Sequence, residues 1–229
     1  MKLLIGNKCY SSWSLRAWLL LRAKGIAFEE QLVPLDEPGF KEAVFAAVPG
    51  SGGTLPALVD GDVAVWESTA IADYLHETYP EAGIWPRDKA ARAHARSVSA
   101  EMHAGFQGLR GSCPMNLGKR FAARDRGAHV ARDVARITAI WREARERFGA
   151  RGEGTFLYGA FSAADAMFAP VVTRLDTYAI AVDPVSSAYM QAVLALPAYR
   201  EWLAGALAEP WVVAQDEVDE PATANLREI

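Results

Sequence analysis

Three segments at the start of the chain restrict its folds more than anything that follows. Lys2-Leu3-Leu4-Ile5-Gly6 is an apolar run of strand length. Leu15 to Lys24 is rich in leucine, alanine and arginine, strongly helix-forming, and closed by Gly25. Ala27-Phe28-Glu29-Glu30-Gln31-Leu32-Val33 partly alternates and predicts a second strand. Strand, helix and strand within 33 residues make a βαβ unit, whose two strands run parallel. Tyr10-Ser11-Ser12-Trp13-Ser14-Leu15-Arg16 sits at the strand-to-helix junction. A helix start presents unpaired N–H groups and the positive end of the helix dipole. A serine there either caps the helix or aims its hydroxyl at an anion, and the residues alone leave both open.

The pattern continues with a short helix over Pro38–Ala47, stopped by Pro49-Gly50. Ser51-Gly52-Gly53 is a flexible lead into Thr54-Leu55-Pro56. Ala57–Asp60 and Val63–Trp66 read as strands joined by a tight turn at Asp60-Gly61. Glu67 to Leu75 follows as a helix with Ala70, Ile71, Tyr74 and Leu75 on one face. Pro56 opens a strand, a position sheets tolerate. A cis bond before it would turn the Leu55 backbone outward, although trans is the ordinary state of X-Pro. Glu67-Ser68 supplies a second helix start, again fit either to cap or to hold a carboxylate.

The whole order is β-α-β-α-β-β-α, and it closes at Tyr79-Pro80-Glu81-Ala82-Gly83-Ile84-Trp85-Pro86. Two prolines and a glycine there predict a domain boundary, with residues 1–80 before it and a linker over 81–87. Residues 88–229 show only helical periods and no strand. The spacing predicts helices over Asp88–Gly111, Gly127–Gly149, Phe161–Tyr178, Ser186–Leu194 and Ala198–Leu207, then a polar tail. Ser162-x-x-Asp165 fits a capping box with aspartate in place of the usual glutamate, a structural role.

A chain of 229 residues accommodates one large domain or two small ones. Its net charge of −4 argues against a nucleic-acid footprint. The basic residues from Lys119 to Arg136 are interleaved with acids and alanines and read as a solvated helix face. Cys9 and Cys113 form neither a disulfide framework nor a metal spacing, and Cys9 reads as a buried strand-end thiol. His76, His94, His103 and His129 lack metal-ligand spacing, so no metal is expected. Charge interrupts the first apolar run after Leu21, and no segment has membrane-spanning length, so a cytoplasmic protein is expected.

Taken together, the β-α-β-α-β-β-α order, the serines at the first helix, Leu55-Pro56 and Glu67-Ser68 resemble the thioredoxin-like domain of soluble glutathione transferases, followed by an all-α helical-bundle domain. Ser11-Ser12-Trp13-Ser14-Leu15-Arg16 is similar to the Ser-Ser-Cys-Ser-x-Arg motif of the zeta class, and Glu67-Ser68-x-Ala70-Ile71 to the family's Glu/Gln-Ser-x-Ala-Ile element.

The resemblance implies a glutathione thiolate stabilised by a serine hydroxyl at the first helix. The zeta pattern matches that serine to Ser11, and counting back from Arg16 points to Ser12; Ser11 ranks narrowly ahead. Trp13, Thr54, Leu55, Pro56, Glu67 and Ser68 would complete the glutathione site, with Leu55 on the cysteinyl backbone and Glu67 and Ser68 on the γ-glutamyl end. Trp13 replaces the motif's cysteine, and Thr54 stands where the family often has lysine or glutamine, behind a segment lengthened by about one residue. A second-substrate pocket between Trp13 and the long helices would be lined by His103, Phe106, Arg110 and Met115, with Asn116 beside them. The implied activity is conjugation of glutathione to small electrophiles. The alternatives are glutathione-dependent cis–trans isomerisation of a maleyl-type acid, which an arginine at position 110 would suit, and a non-catalytic glutathione-binding or partner-assembly role. The resemblance also implies a homodimer.

Overall fold

The computed structural model describes residues 1–149 and 154–227. Its first part is a four-stranded sheet ordered β2-β1-β3-β4, built from β1 (Lys2–Ile5), β2 (Glu29–Leu32), β3 (Ala57–Asp60) and β4 (Val63–Trp66). β1 pairs in parallel with β2, Leu4 opposite Gln31, and antiparallel with β3, Leu4 opposite Ala57. Helices α1 (Ser12–Ala23), α2 (Phe40–Ala47) and α3 (Ser68–Thr78) complete the expected βαβαββα order.

Alternation along β1 builds the layers. Leu3 and Ile5 face the larger core with Leu15, Trp18, Leu19, Ile71 and Leu75 of α1 and α3. Leu4 points the other way, into a smaller cluster with Val33, Val44, Val48 and Ala57 under α2. One face of the sheet thus carries α1 and α3 and the other carries α2.

The second part is helical: α4 (Lys89–Ala104), α5 (Gln107–Ser112), α6 (Ala128–Ala144), α7 (Ala163–Thr177), α8 (Pro184–Ala195) and α9 (Pro197–Ala208). α7 is buried on every side except at Asp176 and packs against α1, α4 and α8, so it welds the helical part to the sheet. Asp165 Oδ2 accepts from the Ser162 N–H at 2.8 Å and its hydroxyl at 2.9 Å, and Oδ1 accepts from the Leu157 N–H at 3.0 Å. The capping box therefore also fastens the incoming loop.

Three expectations are corrected. The helix expected over Asp88–Gly111 breaks after Ala104: Gly105 is extended and Phe106 takes a left-handed φ of 60° before α5 restarts. Glycine is a poor helix former, and a Cβ on Gly105 would lie 2.8 Å from the Glu101 carbonyl oxygen. The region beyond residue 88 also contains strands, β5 (Lys119–Phe121) and β6 (Ala222–Asn225), paired antiparallel. The basic run from Lys119 accordingly begins on a strand, and Arg124 and Arg126 both reach Glu220, at 2.8 and 3.0 Å, instead of lining a solvated helix. Among the described residues no helix is long and apolar enough to cross a membrane, and no cluster of ligating side chains could hold a metal.

Candidate active site

The start of α1 lies beside β1 because the chain turns within Gly6–Ser11: the Tyr10 and Ser11 N–H groups both donate to the Asn7 carbonyl, at 3.2 and 2.8 Å. Ser11 is the N-cap of α1. Its Oγ accepts from the Ser14 N–H at 3.4 Å and donates to Ser14 Oγ at 2.8 Å, and Ser14 Oγ in turn accepts from the Gly6 N–H at 3.0 Å. This inner chain ties helix to strand and occupies the Ser11 hydroxyl. Ser12, the first residue of the helix, is also 8% exposed, and among the described residues its hydroxyl makes no hydrogen bond. The two serines of the motif thus face different tasks.

Tyr10 takes no part in an anion site. Its hydroxyl donates to Glu217 at 2.7 Å, and burial together with that bond keeps it protonated. Cys9 is fully buried, with its thiol pushed upward by desolvation, and its Sγ donates to Asn116 Oδ1 at 3.8 Å.

The Leu55–Pro56 peptide bond is cis, not the ordinary trans form. Among the described residues the backbone N–H and C=O of Leu55, just ahead of β3, make no hydrogen bond. Thr54 is exposed, with its hydroxyl donated to the Ser51 carbonyl at 2.9 Å. Glu67 caps α3 with φ +71° and ψ 129°, a strained conformation for a residue with a side chain. Ser68 is 3% exposed, and among the described residues its hydroxyl meets only the Met167 thioether, at 3.6 Å, a weak acceptor.

Trp13 gathers the remaining groups. The guanidinium carbons of Arg16 and Arg110 lie 4.2 and 4.5 Å from its ring centroid, and His103 meets it edge-on at 4.9 Å. His103 Nε2 stands 3.7 Å from Glu67 Oε2. Desolvation lowers the His103 pKa, with the Arg16 and Arg110 charges adding to it against Glu67, so its neutral form is favoured. Of the four residues expected in the pocket, His103 and Arg110 thus meet at Trp13. Phe106 and Met115 are 8% and 1% exposed and belong to the core. Asn116 is occupied with Glu217 and Gly118.

Two arginines received no site role from the residue pattern. Arg174 of α7 is 5% exposed and donates to the Cys113 and Pro170 carbonyls at 2.9 and 3.2 Å. Burial lowers its pKa to about 10, and the charge of Arg110 adds to that effect. Arg16 is 2% exposed and makes no hydrogen bond or salt bridge among the described residues. A charged residue inside the apolar helix Leu15–Leu21, four positions after Ser12, was the available signal.

A thioredoxin-like sheet carrying cis-Pro56 and two serine-bearing helix starts, joined to a helical bundle through α7, defines the glutathione-transferase type of fold. Residues 10–78 match the glutathione S-transferase N-terminal domain and residues 127–205 the C-terminal domain, so the chain belongs to the glutathione S-transferase family. It is 36% identical over 100 residues to a probable maleylacetoacetate isomerase of Caenorhabditis elegans, covering 43% of this chain and 45% of that protein. It is 40% identical over 104 residues to glutathione S-transferase Z1 of Arabidopsis thaliana, covering 44% and 47%. The chain thus spans about half the length of these curated relatives. Among solved structures it is similar in fold to a glutathione transferase homologue from Burkholderia with bound glutathione (24% identity, TM-score 0.66, 91% and 98% of the two chains). It is likewise similar to maleyl pyruvate isomerase, a bacterial zeta-class enzyme (24% identity, TM-score 0.66, 92% and 99%).

Proposed function

We propose that this protein binds glutathione and conjugates its thiolate to small electrophiles. The observation that carries the reading is the uncommitted Ser12 hydroxyl at the N-terminus of α1, with Ser68 at the N-terminus of α3. A ligand with a thiolate, carboxylates and a peptide unit suits the groups that have no partner among the described residues: Ser12 Oγ, the Trp13 N–H, the first-turn N–H groups of α3, and the Leu55 backbone. Bound glutathione supplies the nucleophile, its sulfur forming a bond to carbon as the electrophile's leaving group departs with the bonding pair.

The chain's residues hold that sulfur ionised and aim it. A serine hydroxyl of ordinary acidity cannot act as a strong base, so its part is to donate a hydrogen bond to the thiolate. The positive end of the α1 dipole adds to that bond. Because the Ser11 hydroxyl is engaged with Ser14, the geometry favours Ser12 over Ser11 as the donor. Leu55 would pair with the cysteinyl backbone, while Glu67 and Ser68 take the γ-glutamyl end. The thioether beside Ser68 leaves that hydroxyl free to turn to a carboxylate at little cost.

Arg110 at the Trp13 ring favours a second reading, the cis–trans isomerisation of a maleyl-type acid. In that reading the cationic wall holds a substrate carboxylate while the double bond is attacked and re-formed. Exposed Phe45, Val63 and Trp66 offer apolar surface for the homodimer of the family, and the proposed compartment is the cytoplasm.

Thermal shift with millimolar glutathione, followed by turnover assays with 1-chloro-2,4-dinitrobenzene and maleylacetoacetate, tests the proposal. Stabilisation with turnover of either compound supports enzymatic function and chooses the reaction. Stabilisation without turnover favours the non-catalytic binder, and no stabilisation sinks the reading.

A further inference from the structure

Buried charge is tolerated when it is paired or hydrogen-bonded. Among the described residues three arginines are buried: Arg16, Arg174 and Arg227. Arg174 donates to two carbonyls, and Arg227 to the Tyr10 hydroxyl and the Glu209 and Trp211 carbonyls. Only Arg16 has no acceptor among the described residues, and its Nε and Nη1 are shut away from solvent.

Its surroundings deepen the deficit. Arg174 and Arg110 both act on Arg16 as like charges, and Glu67, the opposing charge, turns its carboxylate toward His103 at 3.7 Å. No salt bridge joins Glu67 to Arg16 among the described residues. Burial and these cations push Arg16 far below the usual guanidinium range.

Helix geometry directs the group. Helical side chains lean toward the N-terminus, and residues four apart share a face. Arg16 therefore reaches back along α1 toward Ser12, and its guanidinium carbon lies 4.2 Å from the Trp13 ring centroid. Two donors without acceptors, Ser12 Oγ–H and the Arg16 guanidinium, share one helix face next to Trp13.

We propose that Arg16 is the anion-binding residue of this site, donating from its guanidinium, whose Nη2 is not among the atoms shut away from solvent, to a negatively charged oxygen or sulfur of a bound ligand. The anion is a thiolate or a carboxylate, and the inference rests on the site reading of the preceding section. Arg16 is held unpaired in the free protein so that the ligand supplies its counter-charge. Its folded environment is then less stable than an apolar replacement would be, a cost often found at binding sites.

Arg16→Met and Arg16→Lys test this. The ligand-free melting temperature of Arg16→Met is expected to equal or exceed that of wild type, because an unpaired buried charge is removed from a site of similar volume. Three arms then locate the anion. If it is the glutathione thiolate, absorbance near 240 nm shows the bound thiol pKa rising by about one unit in Arg16→Met, about a tenfold loss of thiolate at fixed pH. If it is a glutathione carboxylate, affinity for S-methylglutathione, which has no thiolate, falls about tenfold. If it belongs to the electrophile, KM for 4-chloro-3-nitrobenzoate rises about tenfold while KM for neutral 1-chloro-2,4-dinitrobenzene is unchanged. Arg16→Lys, which keeps the charge but loses the planar fork, recovers part of whichever effect is seen.

A folded Arg16→Met with the wild-type thiol pKa, S-methylglutathione affinity and KM values overturns the proposal, and leaves the proposed function standing. Conversely, a wild type indifferent to glutathione but stabilised by maleate through Arg16 removes the proposed function and keeps the anion site.

Discussion

The Arg227 guanidinium donates to the Tyr10 hydroxyl at 3.1 Å, joining the end of the described chain to the residue just before Ser11. Glu217, also in the tail, accepts from Tyr10 at 2.7 Å, Asn116 at 3.0 Å and Lys119 at 2.5 Å. The tail therefore braces both sides of the junction that carries the site: the loop before α1 and the segment after α5. This is the work of residues that look, in sequence, like a polar appendix.

Replacing Arg227 by Met is expected to lower unfolding free energy by about 2–3 kcal/mol in urea titration, because buried acceptors lose a charged donor. Gly118→Ala should act through the same group, since a Cβ there would lie 2.4 Å from Arg227 Cδ. The double variant should be less destabilised than the sum of the two.

Ser11→Ala and Ser12→Ala should separate stability from turnover. Ser11→Ala removes an N-cap and is expected to cost about 1 kcal/mol in stability. Ser12→Ala should unfold like wild type yet lose about 10²-fold in kcat/KM for glutathione conjugation, the usual scale for deleting one donor to a reacting anion. Equal activity losses with no stability difference would show that the division of labour is wrong.

Asp165 gives the stability a pH signature. Full burial raises its carboxyl from 3.8 to about 6, in spite of hydrogen bonds from Leu157 and Ser162 that act the other way. The folded state therefore binds this proton more tightly than the unfolded state. Its contribution is fully present below about pH 4 and is lost as pH rises through about 6, a swing on the order of 3 kcal/mol. Urea midpoints of wild type and Asp165→Asn across that window check the sign: the variant, less stable overall, should lack this slope.

Glu67→Gly isolates the strained cap. Relief at φ +71° opposes the greater flexibility of glycine and the loss of a carboxylate at the α3 dipole, so stability should stay within about 1 kcal/mol of wild type. Glutathione affinity, measured by calorimetry, should nevertheless fall about tenfold, as expected when a charged hydrogen-bond partner is lost.

Much of the sheet region was legible because its signals are local. The β3–β4 hairpin follows from Asp60-Gly61, and β1 and α1 follow from apolar runs closed by glycine. Helices in the second part were also legible by period, but the break at Gly105-Phe106 was not, because Gly105 interrupts an otherwise unbroken pattern without a proline. β5 and β6 are three and four residues long and about a hundred residues apart, so neither carries a periodic signal of its own.

By itself the sequence determined the βαβαββα order, the helical remainder and the three strings, Ser11-Ser12, Leu55-Pro56 and Glu67-Ser68, that mark the family. These depend on neighbours in the chain: spacing, capping and turn chemistry. Only the tertiary structure decided what the side chains are free to do. Ser11 is spent on Ser14 while Ser12 is not; Pro56 follows a cis bond; and Arg16, one more helical residue in the sequence, is buried beside Trp13 with no hydrogen-bond acceptor among the described residues. The physical reason is that hydrogen-bond satisfaction and desolvation are set by groups brought from α3, α5, α7 and the tail, far away along the chain and adjacent only after folding.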